Sequence, residues 1–189
     1  MKGLVYIGAR EFYAKRLAGG LEALRAQLVN PDVIAFWDQP FVASSWYDLY
    51  PLMAINQAAS RLAGLPYTDL VTENARCIAQ RDIRGVYKLL LNVASPELVA
   101  RRLLVVALDY LDFGQSKGEF VRPKVFRATQ LRVPAPFSAW MKATVHGFVP
   151  VAMGTAGAQD VQIETQIQGS HVQTSGSRVV EIVHEISWR

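Results

Sequence analysis

Three histidines and one cysteine are the side chains here best suited to acid–base, nucleophilic or metal chemistry: His146, His171, His184 and Cys77. A metal centre needs several nitrogen, sulfur or oxygen ligands at compatible spacing. No HExxH, CxxC or HxH pattern groups these four, and no GxSxG, Walker or GxGxxG motif occurs. His146 falls beside the apolar stripe of a helix, which predicts a partly buried packing residue. His184 falls on the apolar face of a strand, where an imidazole must find a hydrogen-bond partner. Cys77 has Arg76 beside it and Arg81 nearby, charges that depress a thiol pKa. With no base in the local sequence, the expectation for Cys77 is a small buried helical residue. Triads assemble in space rather than in sequence, so an enzyme around His146 stands as an alternative. The leading expectation is a non-enzymatic protein with no catalytic residue, no metal and no cofactor.

Binding chemistry has two further candidates. Arg76, Gln80, Arg84 and Lys88 recur every four residues and share one helix face. Arg101, Arg102, Lys117, Arg122, Lys124, Arg127 and Arg132 add positive charge. Such a face, with Tyr87 nearby, can bind anions or nucleic acid. The net charge is only +4, however, and no nucleic-acid-reading motif occurs, which favours a solvated face. The second candidate is aromatic: Phe36, Trp37, Phe41, Trp46, Tyr47 and Tyr50 lie close in sequence. Clusters of this kind line apolar ligand pockets, and they also fill cores and homodimer interfaces. Trp46, Tyr47 and Tyr50 are therefore the candidate ligand-binding or interface residues, with Arg84 and Tyr87 near a polar edge.

The elements that position these residues follow from periodicity. Met1 to Ile7 reads as a strand or a helix start. A helix over 10–29 is interrupted at Gly19-Gly20, and Asn30-Pro31-Asp32 reads as the turn that ends it. An aromatic linker covers 33–42. Ser44-Ser45 reads as the N-cap of a helix over 46–63, broken at Gly64-Leu65-Pro66. Another helix covers 68–92. Ser95-Pro96-Glu97 is a strong helix start, with a capping hydroxyl, proline at the first helical position and an acid at the positive end. That helix runs to Leu111. Gln115 to Gly118 reads as a polar turn, and 121–133 as one strand. The chain then forms an amphipathic helix with Phe137, Trp140, Met141, Thr144, Phe148 and Val151 on one face. A β-hairpin follows. Val161, Ile163, Thr165 and Ile167 alternate with Gln162, Glu164, Gln166 and Gln168, and Val180, Ile182, His184, Ile186 and Trp188 share one side. Gln168 to Ser177 reads as its polar loop.

Helices first, then strand, helix and hairpin, predict an α+β fold. At 189 residues the chain suits one domain over 1–189, mostly helical over 1–114 and strand–helix–hairpin over 119–189. The single cysteine excludes an internal disulfide framework and fits a reducing compartment. No signal peptide is visible, and the longest apolar run, Leu103 to Leu108, is far short of the roughly 20 residues of a membrane span. These features predict a cytoplasmic location.

Several segments resemble a known family. Met1-Lys2-Gly3 with Phe12 is similar to the opening of haem-nitric-oxide-binding (H-NOX) domains. So are Lys124-Val125-Phe126-Arg127, Gly147-Phe148-Val149 and Val161-Gln162-Ile163-Glu164. Ser44-Ser45-Trp46-Tyr47, the run from Arg81 to Tyr87, and Ser95-Pro96-Glu97 resemble a group of bacterial proteins of about this length. That group is placed with H-NOX, vinyl-reductase-type and TRAPP-type domains in one α+β superfamily. The resemblance implies a sensory, ligand-binding or protein-interaction domain in signalling, a homodimer, and a small apolar ligand or a protein partner. Members of the H-NOX family hold haem with a helical proximal histidine and a Tyr-x-Ser-x-Arg motif just after the strand. Here that position reads Leu131-Arg132-Val133-Pro134-Ala135-Pro136-Phe137-Ser138, and no histidine occurs between Ser95 and Gly114. The departure predicts a domain without haem.

Overall fold

Glycine and proline punctuate the helical half of the chain. The computed structural model describes residues 1–84, 95–172 and 176–189. The first helix, α1 (Gly3–Arg16), parts from α2 (Gly20–Ala26) where Gly19 and Gly20 take φ of 77° and 58°. Two successive left-handed residues cannot continue a right-handed helix. Asn30-Pro31-Asp32 does not close a helix but opens one. The Asn30 side chain accepts from the Asp32 N–H at 2.8 Å and Pro31 takes the first position of α3 (Pro31–Asp38), inside the segment expected as a linker. Capping asparagine and turn asparagine are the same chemistry, which is why spacing alone did not separate them. The next helix, α4 (Tyr50–Ala63), starts four residues later than expected. Ser44 and Ser45 do not cap it: the Ser45 carbonyl accepts from the Gly3 N–H at 2.8 Å, and Trp46 pairs with Lys2 in a β-bridge. Asp48 supplies the hydrogen bond instead, its Oδ1 accepting from the Tyr50 N–H at 3.0 Å. α5 covers Tyr67–Arg84, and α6 covers Pro96–Tyr110, with Ser95 accepting from the Leu98 N–H as expected.

The C-terminal half forms β1 (Gln115–Arg122), β2 (Val125–Pro134), a 3-10 turn, α7 (Ser138–Thr155), β3 (Gln162–Val172) and β4 (Arg178–Ser187). The four strands make one antiparallel sheet in the order β1-β2-β4-β3. The expected single strand over 121–133 is thus two, turning at Pro123-Lys124 with Lys124 at φ 60°. Gln115 to Gly118 is strand rather than turn, pairing with Leu131 to Ala128. This edge strand is mostly exposed on both faces, so it lacks the apolar alternation that reveals inner strands. The hairpin also runs further than expected, with Val172 paired to Arg178. On β4 the alternation is as read: Val180, Ile182, His184, Ile186 and Trp188 are all buried.

The α+β architecture predicted from the order of elements is therefore present, with helices leading into a strand–helix–hairpin unit. One cluster of buried residues is built on α1, α2 and α4 around Tyr6, Tyr13, Leu24 and Ile55; the other lies between α5, α6, α7 and the sheet, around Phe126, Met153 and Ile186. Gly147 of α7 lies directly on α5, where a Cβ would run into the Thr72 carbonyl oxygen and the Ala75 methyl. The Thr72 hydroxyl donates to the Ala143 carbonyl at 3.2 Å across the same contact. Among the described residues no helix is long and apolar enough to cross a membrane.

Candidate functional site

Between α5, α6, α7 and the inner face of the sheet lies a cavity of about 130 Å³. The α5 wall is Val71, Asn74, Ala75 and Ile78, residues three and four apart on one face. From α6 come Ala100, Leu103, Leu104, Ala107 and Tyr110, and from α7 Trp140, Met141, Thr144 and Phe148. The sheet contributes Ser116, Ala128, Gln130, His184 and Ile186, while Val5 and Leu52 reach in from α1 and α4. The lining is apolar except for a few polar groups. This combination of apolar walls and sparse polar groups is typical of small-molecule sites.

Those polar groups differ in how they are satisfied. Asn74 is 5% exposed, and its Oδ1 has no hydrogen-bond partner among the described residues. Tyr110 donates to Asp82 Oδ2 at 2.5 Å. Asp82 is 2% exposed and also accepts from Arg81 Nε at 2.7 Å. Arg81 reaches Glu11 of α1 at 3.2 Å, so one charged chain ties α1, α5 and α6 together.

A second chain crosses from α7 to the sheet. His146 Nε2 and His184 Nδ1 lie 2.8 and 2.9 Å from the same Thr165 hydroxyl, and His184 Nε2 lies 3.4 Å from Gln130 Oε1. Burial pushes the His184 imidazole down to about 4, with the charges of His146 and Lys142 adding to it, so the ring is neutral at pH 7. Its Nε2 proton serves the Gln130 oxygen, which leaves Nδ1 to accept from Thr165. Thr165 in turn accepts from His146 Nε2–H, so all three bonds have one direction. Burial, with Lys142 adding, also lowers the pKa of half-buried His146.

The residues singled out by sequence sit elsewhere. Trp46 is 47% exposed under the Lys2 ammonium, 4.1 Å from the ring centre. Tyr47 is half-buried in the aromatic cluster, 5.0 Å from Phe41, and its hydroxyl accepts from the Val42 N–H at 2.9 Å. Tyr50 is 55% exposed and meets Phe137 edge-on at 5.4 Å. None of the three lines the cavity. Tyr87, Lys88 and the Arg84 side chain lie outside the described residues; Arg76 and Gln80 are exposed. Cys77 is exposed and not buried as expected, because it lies two residues from Ala75 and so about half a turn away from the packed face of α5. His184 has its hydrogen-bond partners, as expected of a buried strand imidazole. Asn74 was not singled out by sequence reasoning. Its signal is a polar side chain in register with Leu70, Val71 and Ile78. No group of three or more His, Cys, Asp or Glu that could hold a metal occurs among the described residues.

By sequence the chain matches no protein-family model and no curated protein. By structure it is similar to an H-NOX protein from S. oneidensis in the Fe(II)NO ligation state. The TM-score is 0.69 at 12% identity, over 100% of this chain and 99% of that one. An Fe(II) unliganded H-NOX protein from K. algicida aligns at TM-score 0.70 and 14% identity, over 100% and 97%. The fold is H-NOX-like.

The described lining residues do not fit a haem. The cavity is well below the roughly 300 Å³ at which pockets for drug-sized molecules begin. Of its side chains able to bind iron, Tyr110 is hydrogen-bonded to Asp82, both His184 nitrogens have partners, and Met141 stands alone. Among the described lining residues there is no Lys or Arg to meet a propionate.

Proposed function

We propose that this H-NOX-like chain is a non-enzymatic sensory domain that binds a small apolar molecule in its central cavity, without haem. The cavity carries the reading: about 130 Å³ lined mostly by apolar side chains at the junction of three helices and the sheet. Apolar cavities near 150 Å³ stay dry and take up single-ring molecules. The lack, among the described residues, of a free axial ligand and of a propionate partner supports the haem-free reading. Native mass spectrometry of protein purified without added cofactor, repeated after denaturation, tests it. The expected result is a small-molecule mass excess lost on denaturation and no haem mass. A stoichiometric haem would overturn the reading.

The same reading takes residues 1–189 as one domain that pairs with a second copy. Val42, Trp46 and Tyr50, exposed by 55%, 47% and 55%, support a self-association face within one short segment. Sedimentation of the wild type and of Trp46→Ser/Tyr50→Ser is expected to give a dimer and a monomer. A monomeric wild type removes this part of the proposal.

A further inference from the structure

The two edges of the sheet meet solvent differently. β1 carries the devices that blunt an exposed edge: Lys117, Arg122, a break in register between Phe120 and Arg122, and Pro123 directly after it. β3, the other edge, has no proline, lysine or arginine over Gln162–Gln168. Its register with β4 is unbroken up to Gln168, and Ile167 is 48% exposed. We infer that this free edge pairs antiparallel with β3 of a second copy, about a two-fold axis through Thr165. The segment supplies both halves of the contact, because Gln-Ile-Glu-Thr-Gln-Ile-Gln reads nearly the same in either direction. With the axis at Thr165, Ile163 stands opposite the partner's Ile167 and Gln162 opposite the partner's Gln168. Glu164 meets the partner's Gln166, whose amide can donate to the carboxylate. The neighbouring registers are worse. An axis through Glu164 sets two carboxylates face to face, beside the Glu185 that already flanks each of them. An axis through Gln166 sets Ile163 against the partner's Gly169, where the ladder is irregular. The Thr165 register joins the two four-stranded sheets into one and covers the exposed Ile167. This contact is separate from the Val42, Trp46 and Tyr50 face proposed above and rests neither on that face nor on the cavity. A single strand pair falls in the weak, transient class below roughly 1,200 Å², so it forms as concentration rises.

Sedimentation from about 10 μM to about 1 mM protein reads this contact in the Trp46→Ser/Tyr50→Ser variant, which lacks the other face. The dilute variant is expected to be a monomer that becomes a dimer as concentration rises. Adding Ile167→Lys should weaken that step by about tenfold or more. A variant that stays monomeric throughout, or that pairs equally well with Ile167→Lys, overturns the inference and leaves the aromatic face to be judged from the wild type. Cross-linking reads the register with the aromatic face intact. In a Cys77→Ser background, Gln162→Cys/Gln168→Cys puts two thiols about 20 Å apart along one strand, too far to close within it. Across the axis each stands opposite the other. Mild oxidation is therefore expected to give a covalent dimer from the double variant and none from Gln162→Cys alone. A covalent dimer from neither, or equally from both, overturns the inference.

Discussion

Around Tyr6, the rings of Phe41, Phe36 and Tyr47 stand 4.6, 5.1 and 6.3 Å away, centre to centre, and the Tyr6 hydroxyl donates to the Asp48 carbonyl at 2.5 Å. Around Asn74, aliphatic side chains prevail on the walls and four alanines stand among them, Ala75, Ala100, Ala107 and Ala128. Large flat rings with few rotamers fill space in the first region. In the second, short side chains on the helices and the sheet leave a void. The aromatic region is thus a structural anchor, and the capacity to take up another molecule lies where packing is incomplete. Residue types that look functional in the sequence are spent on the anchor. The unremarkable ones build the site.

Mutations can break or sharpen that contrast. Tyr6→Ala should cost about 3–5 kcal/mol in urea unfolding, as for other fully buried aromatics. Leu103→Ala should cost about 2 kcal/mol, because one side of Leu103 already faces empty space and has fewer contacts to lose. Equal losses would erase the distinction.

The next effect is one of pH. His184 titrates near 4 in the folded chain against 6.5 when free. Between those values the unfolded chain binds the proton and the folded chain does not, so stability rises with pH. Acidification from pH 6.5 to 4 should therefore remove of order 3 kcal/mol, with no further loss from this group below pH 4. Unfolding midpoints across that window should flatten in His184→Phe relative to the wild type. An identical slope would mean that His184 is not the group responsible.

Smaller effects test filling directly. Ala9→Leu, in the packed region, should cost about 1–3 kcal/mol by overpacking. Ala107→Leu points into the cavity and should be nearly neutral while abolishing the uptake of single-ring probes such as benzene. The smallest expected change is a gain: Asn74→Leu should stabilise the ligand-free chain by about 1 kcal/mol, since it removes a buried acceptor that lacks a partner.

Much of the fold could be read from the residues alone. The alternation of Val180, Ile182, His184, Ile186 and Trp188 marked the inner face of β4, and Ser95-Pro96-Glu97 marked the start of α6. Two elements escaped. β1 carries Ser116, Lys117 and Gly118 on an exposed edge, where nothing forces a period of two. α3 opens on Asn30-Pro31-Asp32, a triplet that serves turns and helix starts equally. The cavity escaped for a different reason. Its walls are Ala, Leu and Val at ordinary core spacing, and a void is a property of how faces meet, which periodicity does not encode. Asn74, polar within the stripe of Leu70, Val71 and Ile78, was the break in the pattern that went unread.

The glycine of α7 that lies against α5 explains why such a void can persist. With Gly147 already touching the α5 backbone, those two helices have reached the closest distance that atoms allow. Neither can slide inward to take up the slack, as side chains and helices do around many engineered vacancies. The contact works as a mechanical stop, so α5 and α7 cannot close the vacancy by moving toward one another.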